Sequence, residues 1–220
     1  MSGHTPPEEL LLDYAVGALG PAQTLAIETH LSLRPETGVE IAALEALGGA
    51  LLGDIEPTLL SADALDRALA GIERRAPAEV TPAPPPAMDA ETAALVPPPL
   101  RALVGPSLHA LPWRRCGRGI DEARLDLRSE SGNARLLRIQ EGVRVPKHSH
   151  QGTELTLVLG GAYSDGGERF AVGDLQYADE SDDHAPRAER GGACLCLVVL
   201  DAPIRLTGPV GRFFNPIVRF

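Results

Sequence analysis

Two histidines stand two residues apart in His148-Ser149-His150, Glu154 follows, and His184 comes thirty residues after that glutamate. On extended backbone, side chains at i and i+2 point to the same face, so His148 and His150 share a side. Glu154 opens the apolar run Leu155-Thr156-Leu157-Val158-Leu159, and His184 arrives from a separate segment. Three imidazoles and one carboxylate form a donor set for a divalent metal, suited to zinc and the later first-row metals. Four protein ligands on zinc make a closed structural or sensory site. The same ligands on iron, manganese or nickel leave positions open for chemistry. Either site requires neutral imidazoles, so acid should strip the metal.

Cysteine chemistry is the second candidate. Cys116, Cys194 and Cys196 are too few for a disulfide framework. Cys194 and Cys196 share one face of an expected strand, and an ordinary disulfide between them needs a bend in it. They read equally as two small buried residues or as an oxidant-responsive thiol pair. Glu168 and Asp174 are the nearby acids, expected to be solvated loop residues.

The elements that must position these groups divide the 220 residues in two. Residues 1–75 read as four short helices, over about 7–19, 22–33, 36–52 and 62–75. Pro6-Pro7 before Glu8-Glu9 is a helix start, with proline early and acids near the positive end. Leu10, Leu11, Tyr14 and Ala18 follow at helical spacing. Gly20-Pro21 and Arg34-Pro35 break the run, and Ser61-Ala62-Asp63 can cap the fourth helix. Residues 76–99 are proline-rich and read as an extended linker. From 100 to 220 short alternating segments with glycine turns predict strands over 123–128, 134–139, 143–147, 154–159, 168–171, 174–178 and 193–200, hence a sandwich or barrel. Leu195, Leu197 and Val199 alternate with Cys194, Cys196 and Val198, which predicts a strand buried on both faces.

The formal charge of −10 argues against direct nucleic-acid binding and is compatible with a basic protein partner. No apolar run is long enough for a membrane span, and the first residues lack a signal-peptide pattern. The expected location is cytoplasmic.

The C-terminal half resembles the cupin family. The first cupin motif, G-x5-H-x-H-x3-E-x6-G, is matched by Gly142, His148, His150, Glu154 and Gly161. The second, G-x5-P-x-G-x2-H-x3-N, keeps Gly173 and His184, with Asp179, Ser181 and Ala188 at its other places. The resemblance implies a jelly-roll cupin β-barrel with a metal on His148, His150, Glu154 and His184.

The N-terminal half resembles the zinc-binding anti-sigma domain, in the stretches Leu11-Leu12-Asp13-Tyr14-Ala15-Val16-Gly17-Ala18-Leu19 and Ile27-Glu28-Thr29-His30-Leu31. That family carries His-x3-Cys-x2-Cys and an outlying histidine. Here His30 is followed by Arg34 and Thr37 where the cysteines belong, and His4 is the outlying candidate. His4 and His30 are then expected to be a vestigial zinc site, and the cupin to hold the one metal of the chain, zinc, with iron, manganese or nickel as the alternatives.

Together, the order of parts resembles ChrR-type anti-sigma factors, which also place a C-x-C where Cys194 and Cys196 stand. The resemblance implies sequestration of an extracytoplasmic-function sigma factor, released on exposure to singlet oxygen or organic hydroperoxide, with no enzymatic activity. Helices 8–19 and 62–75 are the expected sigma contacts, with Leu11, Leu12 and Tyr14 as anchors. The alternative is a dioxygenase-like cupin metalloenzyme with a helical appendage. A third reading is a degenerate relative with another partner.

Overall fold

The computed structural model describes residues 4–75, 87–127 and 133–208. Four helices begin the chain: α1 (Glu8–Ala15), α2 (Pro21–Leu33), α3 (Gly38–Gly53) and α4 (Ala64–Arg75). Pro7, in extended conformation, precedes α1, and Glu8 and Glu9 lie in its first turn. Helix α2 stops at Arg34, where the following proline cannot continue the ladder.

Residues 76–86 of the expected linker lie outside the described residues. The rest of it, 87–99, departs from the extended reading. Asp89 caps α5 (Ala90–Leu95) by accepting the Thr92 N–H at 2.7 Å. A 3-10 turn at Pro98–Leu100 then leads into α6 (Arg101–Val104). Val96 and Leu100 are buried in the core, so this proline-rich segment is packed structure. Proline suits the first turn of a helix, and the composition alone did not distinguish that use from a spacer. The described residues thus hold six α-helices, two more than the four expected.

Among the described residues twelve strands follow. The main sheet has the order β1-β2-β3-β11-β5-β8. Its strands are β1 (Arg114–Gly117), β2 (Ile120–Arg124), β3 (Asn133–Ile139), β5 (Glu154–Gly160), β8 (Leu175–Ala178) and β11 (Cys194–Leu200). A second sheet joins β6 (Ala162–Asp165), β7 (Glu168–Ala171) and β10 (Arg187–Ala188). A third joins β4 (His148–Ser149), β9 (Asp183–His184) and β12 (Arg205–Leu206). Among the described residues the strands therefore pair as three sheets rather than one closed barrel.

Strands β5 and β11 are buried along their whole length. The period of two sorts their side chains into two cores. Leu155, Leu157, Leu195, Leu197 and Val199 join Leu11, Ala26 and Ile27 of α1 and α2. Val158, Cys194, Cys196, Val198 and Leu200 join Tyr163 and Phe170 from the second sheet. The helices thus cover one face of the main sheet, and the other face looks into the cupin interior. Helix α4 has no buried residue among those whose side chains are described.

Candidate metal centre

The first motif places its ligands by strand geometry. His148 lies on β4 and His150 just beyond it, while Glu154 begins β5. His184, on β9, is the register partner of His148. Their candidate donor atoms all lie within 4.8 Å of one another. The Nε2 atoms of His150 and His184 are 3.0 Å apart, and those of His184 and His148 are 3.1 Å apart.

The outer hydrogen bonds fix what those nitrogens can do. His148 Nδ1 lies 2.8 Å from the Pro146 carbonyl, which can only accept, so Nδ1 carries the proton. His184 Nδ1 lies 2.6 Å from Asp165 Oδ2 and donates to that carboxylate. In the neutral rings both Nε2 atoms then present lone pairs to each other, which repel unless a cation lies between them. Burial holds the pKa of His148 and of His150 below the usual value, so both are neutral and able to ligate. At His184 burial also acts downward, but the Asp165 hydrogen bond and the nearby carboxylates outweigh it and raise the pKa. Glu154 is oriented by Thr156, whose hydroxyl donates to Oε1 at 3.0 Å. The residues fit a divalent metal: His148, His150, Glu154 and His184 would hold it, and Asp165, the Pro146 carbonyl and Thr156 aim three of them.

Sequence reasoning missed this outer layer. Asp165 stands directly before Gly166-Gly167, a pattern that signals only a turn, yet it ends β6 and reaches His184. Thr156 carried a usable signal, being the one polar residue inside an apolar run.

Cys194 and Cys196 do come together, with their sulfurs 3.6 Å apart in the interior. The Cys194 contact and complete burial drive the Cys196 pKa well above its ordinary value. It is therefore protonated and a poor nucleophile in this packing. Cys116, half-buried against the same interior, has its pKa pushed by burial to about 11.

The histidines read as a vestigial zinc site have a different occupation. His30 is wholly buried, with Nδ1 2.9 Å from the Gly173 carbonyl and Nε2 3.0 Å from Thr37 Oγ1. The carbonyl fixes Nδ1 as donor, so the Thr37 hydroxyl donates to Nε2. Arg34, at the other cysteine position, reaches across 140 residues to Asp174 Oδ1 at 3.0 Å and to the Val172 carbonyl at 3.2 Å. Gly173 has φ +89°, and a Cβ there would stand 2.6 Å from Arg34 Nε, so only glycine allows the approach. His4 stacks on Phe170 with ring centroids 4.1 Å apart, and its carbonyl accepts the Leu175 N–H. His4, His30, Arg34 and Thr37 thus tie the helices to the turn between β7 and β8. Asp174, expected in solvent, is buried and also accepts the Ala171 N–H at 2.8 Å.

Of the expected sigma anchors, Leu11 is wholly buried in the core that the helices share with the main sheet and offers nothing at the surface. Leu12 is 45% exposed, and Tyr14 is half-buried. Periodicity identified α1's apolar face but could not show which side of it the rest of the core covers.

Helices on one face of a cupin-like sheet, with a His3Glu centre on the other, define a two-part protein with a metal-competent cupin-like domain. The ChrR cupin-like domain family matches residues 103–202. Anti-sigma-E factor ChrR of Cereibacter sphaeroides is 40% identical over 216 residues, 98% of each chain. The crystal structure of Rhodobacter sphaeroides SigE in complex with the anti-sigma ChrR matches at 37% identity, over 90% of this chain and 98% of that one, with a TM-score of 0.72. The chain belongs to the ChrR family of anti-sigma factors.

Proposed function

We propose that this protein is a cytoplasmic anti-sigma factor that sequesters an extracytoplasmic-function sigma factor, and that its zinc-loaded cupin triggers release on exposure to singlet oxygen or organic hydroperoxide. The observation that carries the reading is the uncovered surface of the helical half. Twelve of the fourteen exposed large apolar side chains among the described residues lie between Leu12 and Ile72. Leu65, Leu69 and Ile72 form one stripe on α4, and Leu47 and Leu51 another on α3. A surface this apolar marks a protein contact. Residues 1–75 also hold twelve acids against four arginines, so the stripes suit an apolar patch bordered by basic residues. The contact surface is then α3 and α4 with Leu12, rather than Leu11.

In this reading the candidate metal site and the core shared with the helices lie on opposite faces of the same strands. Oxidation of a ligand or of the Cys194–Cys196 pair would disturb one side of β11, whose other side packs Leu195, Leu197 and Val199 beneath the helices. Tight packing transmits such a change to a two-state docking of the helices. The role is regulatory rather than enzymatic.

The test is reconstituted transcription with an extracytoplasmic-function sigma factor from the same genome. The purified chain should block it and lose the block after photosensitised oxidation. Failure to bind or inhibit any such factor rejects the proposal. The metalloenzyme reading draws support from the apolar cavity beside the donors; oxygen uptake with a small substrate would favour it, and tight zinc without turnover would end it.

A further inference from the structure

The interior face of the main sheet borders a cavity of about 340 Å3. Its wall is largely carbon, from Ile120, Leu137, Ile139, Val198, Leu200 and Leu206, and His148 and Glu154 close one side. Arg135, on β3, reaches the same cavity with its side chain 3% exposed. Its Nη1 donates to Glu122 Oε2 at 3.2 Å, but its buried Nε has no partner. Glu122 does not belong to Arg135 alone. It also pairs with Arg114, and Arg124 Nε lies 4.0 Å away.

Arg114 and Arg124 meet Glu122 from the solvent side, with side chains 63% and 57% exposed, so within the interior Glu122 and Arg135 form the buried pair and Arg135 Nε is the donor left over. A buried donor without an acceptor is costly, and a charged one more so. A mostly apolar cavity with a few convergent polar groups is the usual form of a small-molecule site. Here the carbon wall suits an apolar tail, while the spare guanidinium donor calls for an acceptor head, best met by a carboxylate.

We propose that this cavity binds a monocarboxylate with a medium-length hydrocarbon tail, its head accepting from Arg135 Nε and its tail lying against Ile120, Leu137, Val198 and Leu200. At roughly 30 Å3 for each group the size of a water molecule, the cavity takes about eleven non-hydrogen atoms. Octanoate is of that size. The site is independent of whichever protein the helices hold.

Calorimetric titration of the full chain, metal-loaded as purified, tests the proposal with octanoate, octanol, acetate and palmitate. Octanoate should saturate one site and bind at least about ten-fold more tightly than octanol, because the charge-assisted bond is lost in the alcohol. Acetate should be weak for want of a tail, and palmitate weak because the cavity is finite. Arg135→Met should abolish the preference for octanoate over octanol, and Leu200→Trp should remove binding of both. Equal binding of octanoate and octanol by the wild-type chain overturns the proposal, as does absence of saturable binding. A preference that survives in a folded Arg135→Met variant assigns the head to the metal instead and overturns the role of Arg135. If either variant fails to fold, the wild-type preference and chain-length limit decide.

Discussion

Thr37→Val removes one hydroxyl and keeps the side-chain shape, at a residue standing where the anti-sigma domain family carries a zinc-binding cysteine. In the wild-type chain that hydroxyl donates to His30 Nε2 at 3.0 Å, inside a pocket where both residues are buried. His30 cannot turn to another partner, because Nδ1 is committed to the Gly173 carbonyl. The substitution therefore strands a buried acceptor, at about 1–3 kcal/mol. For a chain of this size that lowers Tm by roughly 2–4 °C per kcal/mol. The loss should depend on pH with a definite sign. Burial is the main force holding the folded His30 pKa below its ordinary value. The neutral ring's contribution is therefore complete above the unfolded pKa, about 6.5, and is lost as pH falls towards the folded pKa. Without its hydroxyl partner the variant has less to lose in acid, so the gap from wild type should be widest above neutrality and narrow as the pH is lowered. Urea unfolding followed by far-ultraviolet circular dichroism across this range reads both effects. A variant within about 0.5 kcal/mol of wild type at neutral pH would refute the hydrogen-bond account of this site. So would a measured ratio of two zinc ions per wild-type chain.

Three further outcomes follow from the geometry. Asp165→Asn removes the carboxylate that holds the His184 Nδ1 proton, and competition with a chromogenic chelator should show zinc affinity reduced by about 10–100-fold. Leu69→Asp changes a side chain that is 50% exposed on α4, so thermal unfolding should move little while affinity for the sigma factor falls at least about ten-fold. The double substitution Arg34→Cys and Thr37→Cys restores the family's His-x3-Cys-x2-Cys spacing beside His30, and elemental analysis should find a second zinc ion per chain.

Much of the metal centre was legible because its residues are encoded at short range. The spacing of His148, His150 and Glu154 is a property of one strand, a short loop and the start of the next, and His184 holds its place in the second motif. The alternation in β11 likewise announced burial on both faces. The start of α1 and both ends of α2 followed from Pro7, Gly20-Pro21 and Pro35, whose backbone constraints act within a turn, whereas α1 ends at Ala15, short of the expected 19, and a 3-10 turn at Pro35–Thr37 precedes α3. Asp165 was not legible, since its use depends on β9 lying beside the hairpin of β6 and β7.

The sequence by itself picked out the four candidate ligands, the helical and β halves, and which residues of β11 share a face, because periodicity and motif spacing act over a few residues. Only the tertiary structure decided that Leu11 is lost to the core, that Val96 and Leu100 pack there too, and that Asp174 is buried beside Arg34. It alone replaced the expected empty zinc site with a tie from His30 to Gly173, 143 residues apart. Contacts of that separation depend on how the sheet and helices dock, and no local pattern records which of several exposed apolar faces will be covered.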